Sequence, residues 1–455
     1  MNILFITADQ WRGECLSALN HSHVKTPNLD ALAADGVAFK RHYAQATPCG
    51  PSRASLYSGM YMQNHRSILN GTPLDARHTN VALEARKAGY EPALFGYTDV
   101  SLDPRSQDIR DGYEGVLPGM DPICHLKETA RPWLDHLNKK GYAIPDNPAN
   151  MFSPQKDYPG AENRGSTFAP SLYSAEDSNT AFLVDKTIEY LSTCEDKPWF
   201  AYLSFLSPHP PFIVAEPYND MFDEKDMPLP VRRATWQEEI TQHPWLEHYL
   251  TNQSCTPYTV GADSHDNLSL SDQELRQIKA TYYGMIAEVD AQVGRLVNHL
   301  KKIGSYDNTL IIFTSDHGES LGDHWAHAKY TYFEETFYIP LIVRDPSPEA
   351  NQTRGSIVDA FTESIDIMPT ILDAIGVDIP VQCDGYSVLP FCRDKQPEGW
   401  RKECHMEFDL RAPYDGAGEI PLGLGMKQCM VNIIRGERYK YVYYGVTARA
   451  FRFEK

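Results

Sequence analysis

The feature that most limits what this chain can fold into is a series of short apolar runs that do not alternate with polar residues. Asn2-Ile3-Leu4-Phe5-Ile6-Thr7-Ala8 is the first, and 92–95, 199–205, 309–314 and 339–343 repeat the pattern. A strand wetted on one side alternates. A continuous apolar run belongs to a strand covered on both faces, as in a parallel sheet between layers of helices. Helix signals fall between the runs. Thr26-Pro27 offers a cap and an N1 proline, with Gly36 as a stop; 81–88 ends at Gly89; 178–191 reads as helical. Ser271-Asp272-Gln273-Glu274 is a capping box that opens a long helix towards Ile303. The expected class is α/β, a mixed and mostly parallel sheet sandwiched by helices.

Two stretches break this rhythm. At about 100–170 and 208–268 the chain is rich in Pro, Asp, Asn and aromatic residues, which predicts insertions over one edge of the sheet, inside a main α/β domain spanning 1–376. From 377 to 455 the pattern shifts again. The runs 430–434 and 439–444 flank Arg435-Gly436-Glu437-Arg438 like the arms of a hairpin, so a small C-terminal α+β subdomain with an antiparallel sheet is expected. A chain of 455 residues is long enough for more than one core.

A net charge of −19 argues against nucleic acid or an anionic membrane as partner, because both need clustered Lys and Arg. It leaves room for a small anionic substrate in one basic pocket. The first residues lack a charged segment followed by an apolar one, so no signal peptide is expected. No apolar run approaches the roughly 20 residues needed to span a bilayer. The nine cysteines are odd in number and not spaced as zinc pairs, which suits reduced thiols in a cytoplasmic protein.

Open α/β sheets bind ligands beyond the carboxyl ends of their strands. The first run ends at Asp9-Gln10, the second at Tyr97-Thr98-Asp99, the third at Ser207-Pro208-His209-Pro210-Pro211, and the fourth at Asp316-His317-Gly318-Glu319. Four strand ends carrying polar or ionisable residues favour one shared site. Asp9, Asp316 and His317 are the natural metal ligands. Two carboxylates and an imidazole suit one divalent cation, and the imidazole moves the preference from Ca2+ towards Mn2+. Gln10 adds a neutral oxygen. Cys49-Gly50-Pro51-Ser52-Arg53 joins a thiol, a rigid turn and a guanidinium, the parts of an anion site, although five residues also describe an ordinary loop. His209 is held between prolines, which fits a positioned acid or base as well as a rigid loop. Lys329, by itself, reads as a solvated surface lysine. Glu319, Asp323, His324 and His327 offer a second metal cluster or, more simply, local loop hydrogen bonding.

These residues resemble the formylglycine-dependent sulfatases of the alkaline phosphatase superfamily. The stretch 49–53 is similar to that family's modification motif, continued by Ser58-Gly59; Asp9, Asp316 and His317 stand where the family holds its metal; and Thr26-Pro27-Asn28-Leu29-Asp30-Ala31-Leu32-Ala33 resembles its first helix. The resemblance runs to the helix at 365–372, and the 435–444 hairpin resembles the family's C-terminal sheet. The chain stops at Arg452-Phe453-Glu454-Lys455, earlier than family members usually do. Many sulfatases carry a second Asp where Gln10 stands, Asn where His317 stands, and a Lys-x-His pair where Tyr97-Thr98-Asp99 stands. Asp9-Gln10-Trp11-Arg12 with Asn70, Tyr97, His209 and Lys329 is instead similar to phosphonate monoester hydrolases and related arylsulfatases.

The resemblance implies an alkaline-phosphatase-like fold and hydrolysis of monoanionic tetrahedral esters: sulfate monoesters, phosphonate monoesters or phosphodiesters. It implies Gln10, Asn70 and Tyr97 as substrate-binding residues, and Cys49, Arg53, His209 and Lys329 as catalytic ones. The metal set is Asp9, Asp316 and His317, with Gln10 and Cys49. The resemblance also implies a maturation enzyme that converts Cys49 to formylglycine, and a homo-oligomeric assembly. In the implied reaction one hydroxyl of the formylglycine hydrate attacks sulfur or phosphorus, and loss of the second hydroxyl's proton expels the group. His209 protonates the leaving oxygen, while Arg53 and Lys329 meet the developing charge. Two competing readings are a superfamily phosphodiesterase or phosphomutase that uses Ser or Thr directly, and an inactive relative that only binds an ester.

Overall fold

The computed structural model describes residues 1–100, 103, 115–126, 130–194, 197–253, 267–411, 423–425, 428–444 and 451–454, the last four for their backbone. The strands are β1 (Asn2–Ala8), β2 (Val37–Tyr43), β3 (Ala46–Thr47), β4 (Pro92–Gly96), β5 (Asp121–His125), β6 (Phe200–Phe205), β7 (Thr309–Thr314), β8 (Leu341–Arg344), β9 (Ser356–Glu363), β10 (Glu403–Asp409), β11 (Met430–Gly436), β12 (Tyr439–Tyr444) and β13 (Phe451–Glu454). Eight of them make the main sheet, in the order β5-β4-β6-β1-β7-β8-β2-β9.

β1 shows why its sequence is continuously apolar. Leu4, Ile6 and Ala8 enter one core with the long Asp272–Lys302 helix, while Ile3 and Phe5 enter a second core on the opposite face with the Cys49–Ser58 and Ile367–Ala374 helices. Both faces are dry, so each of the Leu, Ile and Phe side chains contributes about 1.5–3 kcal/mol by burial. The Ser271 capping box forms in both directions.

Three details differ from the sequence reading. β8 runs antiparallel to both of its neighbours, β7 and β2. Among its connections the stretch from β7 to β8 holds no long crossover helix, only Glu334–Phe337, so the chain re-enters the sheet at the end it left. Thr26 does not cap the Pro27–Ala34 helix; its hydroxyl pairs with Ser17 and Asp30, and the carboxylate of Asp290 accepts from the N–H groups of Asn28 (3.2 Å) and Leu29 (2.8 Å) instead. The 100–170 stretch supplies β5, which pairs parallel with β4, so part of it belongs to the sheet itself.

The smaller sheet has the order β13-β12-β11-β10-β3. β10 to β13 pair antiparallel, and β11 and β12 form the expected hairpin. The two-residue β3 lies parallel to β10, with Glu407 opposite Ala46 and Phe408 opposite Thr47. The segment that leads into Cys49 is therefore held by the C-terminal sheet.

Candidate active site

β4, β6, β1 and β7 are adjacent, so their carboxyl ends open into one place. β1 delivers Asp9 and then Gln10, whose φ of 66° turns the chain sharply. β7 delivers Ser315, Asp316 and His317. The loop after His317 can double back only because residue 318 is glycine: a Cβ there would collide with the carbonyl oxygen of Glu335. Opposite these ends stands the Cys49–Ser58 helix, with Cys49 as its first residue and Arg53 one turn along.

Arg53 is fully buried and organises the floor. Its Nε donates to Asp316 Oδ2 at 2.9 Å, and its Nη2 donates to Asp9 Oδ2 at 3.1 Å and to the Tyr97 hydroxyl at 3.2 Å. Nη1 donates to Ser204 Oγ at 3.0 Å, with the Tyr57 and Tyr202 hydroxyls each at 3.4 Å. The Tyr97 hydroxyl also donates to Asp9 Oδ2. Burial alone would raise the Asp9 carboxyl, but His209, Lys329 and Arg53 outweigh it and hold the carboxyl below the usual carboxylate range.

Above this floor, Cys49 Sγ accepts from Lys329 Nζ at 2.9 Å and lies 3.2 Å from His317 Nε2. Lys329 Nζ also donates to Gln10 Oε1 at 2.9 Å, and the Gln10 amide donates to Glu319. Lys329 is thus a buried component of the site rather than the solvated lysine its sequence context suggests. Burial pushes the Cys49 thiol up, helped by Asp9, with Lys329 opposing. Gly50 N–H donates to Asn70 Oδ1 at 3.0 Å, which leaves the Asn70 amide nitrogen to meet a ligand. His209 follows β6, and its Nδ1–H donates to Pro210 O at 2.6 Å. Burial, with Lys329, pushes its pKa down to about 4.

The ligand atoms of Asp9, Cys49, Asp316 and His317 lie within 4.8 Å of one another. His317 Nδ1–H donates to Gly318 O at 3.0 Å, so Nε2 presents its lone pair to the cluster. Nε2 lies 3.7 Å from Asp9 Oδ1 and 3.6 Å from Asp316 Oδ2. Asp9 Oδ1 is buried and has no hydrogen-bond partner among the described residues. An unpaired carboxylate oxygen facing a neutral imidazole fits a divalent cation. The second cluster does not gather. Glu319 is bound by Gln10 and by the N–H groups of Leu321 and Ala328, Asp323 pairs with Arg12 at 2.9 Å, and His324 pairs with Glu239 at 3.0 Å.

The sequence reading missed the supports. Ser204 and Tyr202 anchor Arg53 from β6, and their signal was a Ser and a Tyr inside an otherwise apolar strand. Glu319 holds the Gln10 amide; nothing in the sequence separates it from its acidic neighbours. Asp99, to which the sequence reading gave no role, sits beside the site with φ 51°, and burial pushes its pKa up to about 6 against the pull of Arg53.

Comparison with known proteins places this geometry. Residues 1–377 match the sulfatase family, and residues 322–451 match the C-terminal family of N-sulphoglucosamine sulphohydrolase. A multifunctional alkaline phosphatase superfamily protein, PehA of Trinickia caryophylli, is 38% identical over 99% of this chain and 88% of its own length. An arylsulfatase of Clostridium perfringens is 28% identical over 90% of this chain and 82% of its own. The crystal structure of the phosphonate monoester hydrolase of Agrobacterium radiobacter superposes with a TM-score of 0.93 at 43% identity, covering 100% of this chain and 89% of that one.

Proposed function

The chain belongs to the sulfatase family, within the alkaline phosphatase superfamily, and on that premise we propose that it hydrolyses monoanionic sulfate monoesters, phosphonate monoesters or phosphodiesters at the Cys49 site. The observation that carries the proposal is the meeting of Cys49 Sγ, Lys329 Nζ and His317 Nε2 beside the unpartnered Asp9 Oδ1.

Asp9, Asp316 and His317 would hold one divalent cation, Mn2+ or Ca2+, next to Cys49, with Gln10 adding its oxygen. Bound there, that ion would supply Lewis acidity at the reacting centre. Formylglycine at position 49 would supply an oxygen nucleophile that the thiol cannot. A thiol held protonated by burial is a poor nucleophile, and its sulfur ester would have no easy exit. Cys49 is only 7% exposed, so a maturation enzyme would have to act before the chain folds.

The chain's own residues then have distinct roles. Arg53 fixes both carboxylates and presents positive charge beneath the ester. Lys329, protonated between Gln10 and residue 49, meets the oxygens that gain charge in the transition state. Asn70 and Tyr97 position the ester. His209 is neutral in the free site and has its Nδ1–H committed to Pro210, so Nε2 is the atom that gains and gives a proton. An anionic ester beside it raises its pKa and loads it to protonate the leaving oxygen. A cytoplasmic location is consistent with the eight described cysteines, all of them free thiols. Among the described residues no helix is long and apolar enough to cross a membrane.

The test is turnover of p-nitrophenyl sulfate, p-nitrophenyl phenylphosphonate and bis-p-nitrophenyl phosphate by the metal-supplemented protein and by Cys49→Ala. Turnover of at least one ester by the wild type, and none by the variant, is expected. Equal turnover by both would overturn the proposal.

A further inference from the structure

Asp9 and Asp316 are the acidic groups of the floor, and both are paired with Arg53. Asp99 is different. It lies two residues beyond Tyr97, in a left-handed backbone conformation that a residue with a side chain rarely adopts. Its carbonyl oxygen lies 3.6 Å from where a Cβ on Gly50 would stand, so this turn rests against the first turn of the Cys49 helix. Its half-buried carboxylate acts on Arg53, Lys329, Asp9 and Asp316, and on Cys49 itself. Yet among the described residues it forms neither a hydrogen bond nor an ion pair.

The charges can be counted. Arg53 and Lys329 are cancelled by Asp9 and Asp316. Glu319 is set behind the Gln10 amide, with N–H donors from Leu321 and Ala328 on its oxygen. Whatever cation is bound, Asp99 therefore lowers the charge facing the ester by one.

We propose that Asp99 is a specificity-determining residue: its carboxylate, which pairs with none of the described residues, repels the second negative charge of dianionic esters and sets the site for monoanions. The inference rests on the proposed ester hydrolysis. It deepens that reading by assigning the preference to one side chain. A unit charge beside an ester, at the effective dielectric of a partly buried site, changes the preference by on the order of tenfold or more.

The experiment uses the matured, metal-loaded enzyme at pH 8. It compares kcat/KM for p-nitrophenyl phosphate, a dianion, with that for p-nitrophenyl phenylphosphonate, a monoanion. Asp99→Asn is expected to raise the dianion-to-monoanion ratio at least tenfold, while Asp99→Glu keeps the wild-type ratio. A binding measurement gives an independent readout. Asp99→Asn is expected to tighten phenylphosphonate dianion at least fivefold and to leave its monomethyl ester within twofold. Asp99→Ser repeats both measurements should the Asn variant fold poorly. A ratio and a dianion Kd that both stay within twofold of an active wild type would overturn this inference alone. A wild type inactive on every monoanionic ester would overturn the parent proposal, and this inference with it.

Discussion

Replacing Arg53 with Met tests the electrostatic floor of the site directly. The guanidinium is fully buried and is the paired cation of two buried carboxylates, Asp316 Oδ2 at 2.9 Å and Asp9 Oδ2 at 3.1 Å. Methionine keeps much of the volume but removes the charge and five hydrogen-bond donors. Breaking a buried pair by deleting one partner costs about 3–5 kcal/mol, because the other charge stays buried and uncompensated. The unfolding entropy of a 455-residue chain is about 1 kcal/mol per kelvin, so a loss of about 4 kcal/mol lowers the melting temperature by about 4 °C. Calorimetry on metal-free protein should show that drop. Saturating Mn2+ should narrow it, since a cation beside Asp9 and Asp316 restores part of the missing positive charge. Metal-free Arg53→Met melting within about 1 °C of the wild type would refute the reasoning: it would mean that the carboxylates are held by other partners.

Other outcomes follow from the same geometry. Metal analysis of the purified wild type should find one equivalent of divalent ion, and Asp316→Ala should lose it; two equivalents in the wild type would favour a binuclear centre instead. His209→Ala should slow esters with poor leaving groups by roughly 10²–10⁴-fold and nitrophenyl esters far less, because a good leaving group needs little protonation. Equal loss across a leaving-group series would make His209 a binding or loop-shaping residue. Glu288, in the middle of the long helix, has its pKa pushed up to about 7 by burial, and one of its oxygens has no hydrogen-bond partner among the described residues. Its folded pKa lies above the unfolded value, so it does not weaken the fold below about pH 4.5, and its cost grows as pH rises to 7 and then levels off. Glu288→Gln should therefore raise stability by up to about 3 kcal/mol at pH 8 and leave it unchanged at pH 4.5, measured by calorimetry at both pH values.

The parts of the fold legible in the sequence are those set by local pattern. β1, β4, β6 and β7 are continuous apolar runs because both faces are covered, and the Ser271 capping box marks its helix by spacing alone. The parts that were not legible depend on partners far away in sequence. The Pro27–Ala34 helix is capped by Asp290, 261 residues beyond Leu29, so Thr26 only looks like the cap. β8 has the same apolar composition as a parallel strand, and its direction comes from the return of the chain. In the site, strand ends and the 49–53 motif pointed to Asp9, Cys49, Arg53, Asp316 and His317. Lys329 reads as a surface residue on its own sequence context, and only the family resemblance singles it out before the fold buries it against Cys49. Ser204, Tyr202 and Glu319 lack chemistry of their own that would single them out, and gain their roles only by touching Arg53 and Gln10.

The account turns on what residue 49 is in the active protein. Mass spectrometry of the tryptic peptide that contains it, from a preparation of measured turnover, tests this most directly. Conversion of the cysteine to formylglycine lowers the peptide's mass by about 18 Da, and the converted fraction should scale with specific activity across preparations. A fully active preparation in which Cys49 is an unmodified thiol would contradict the account.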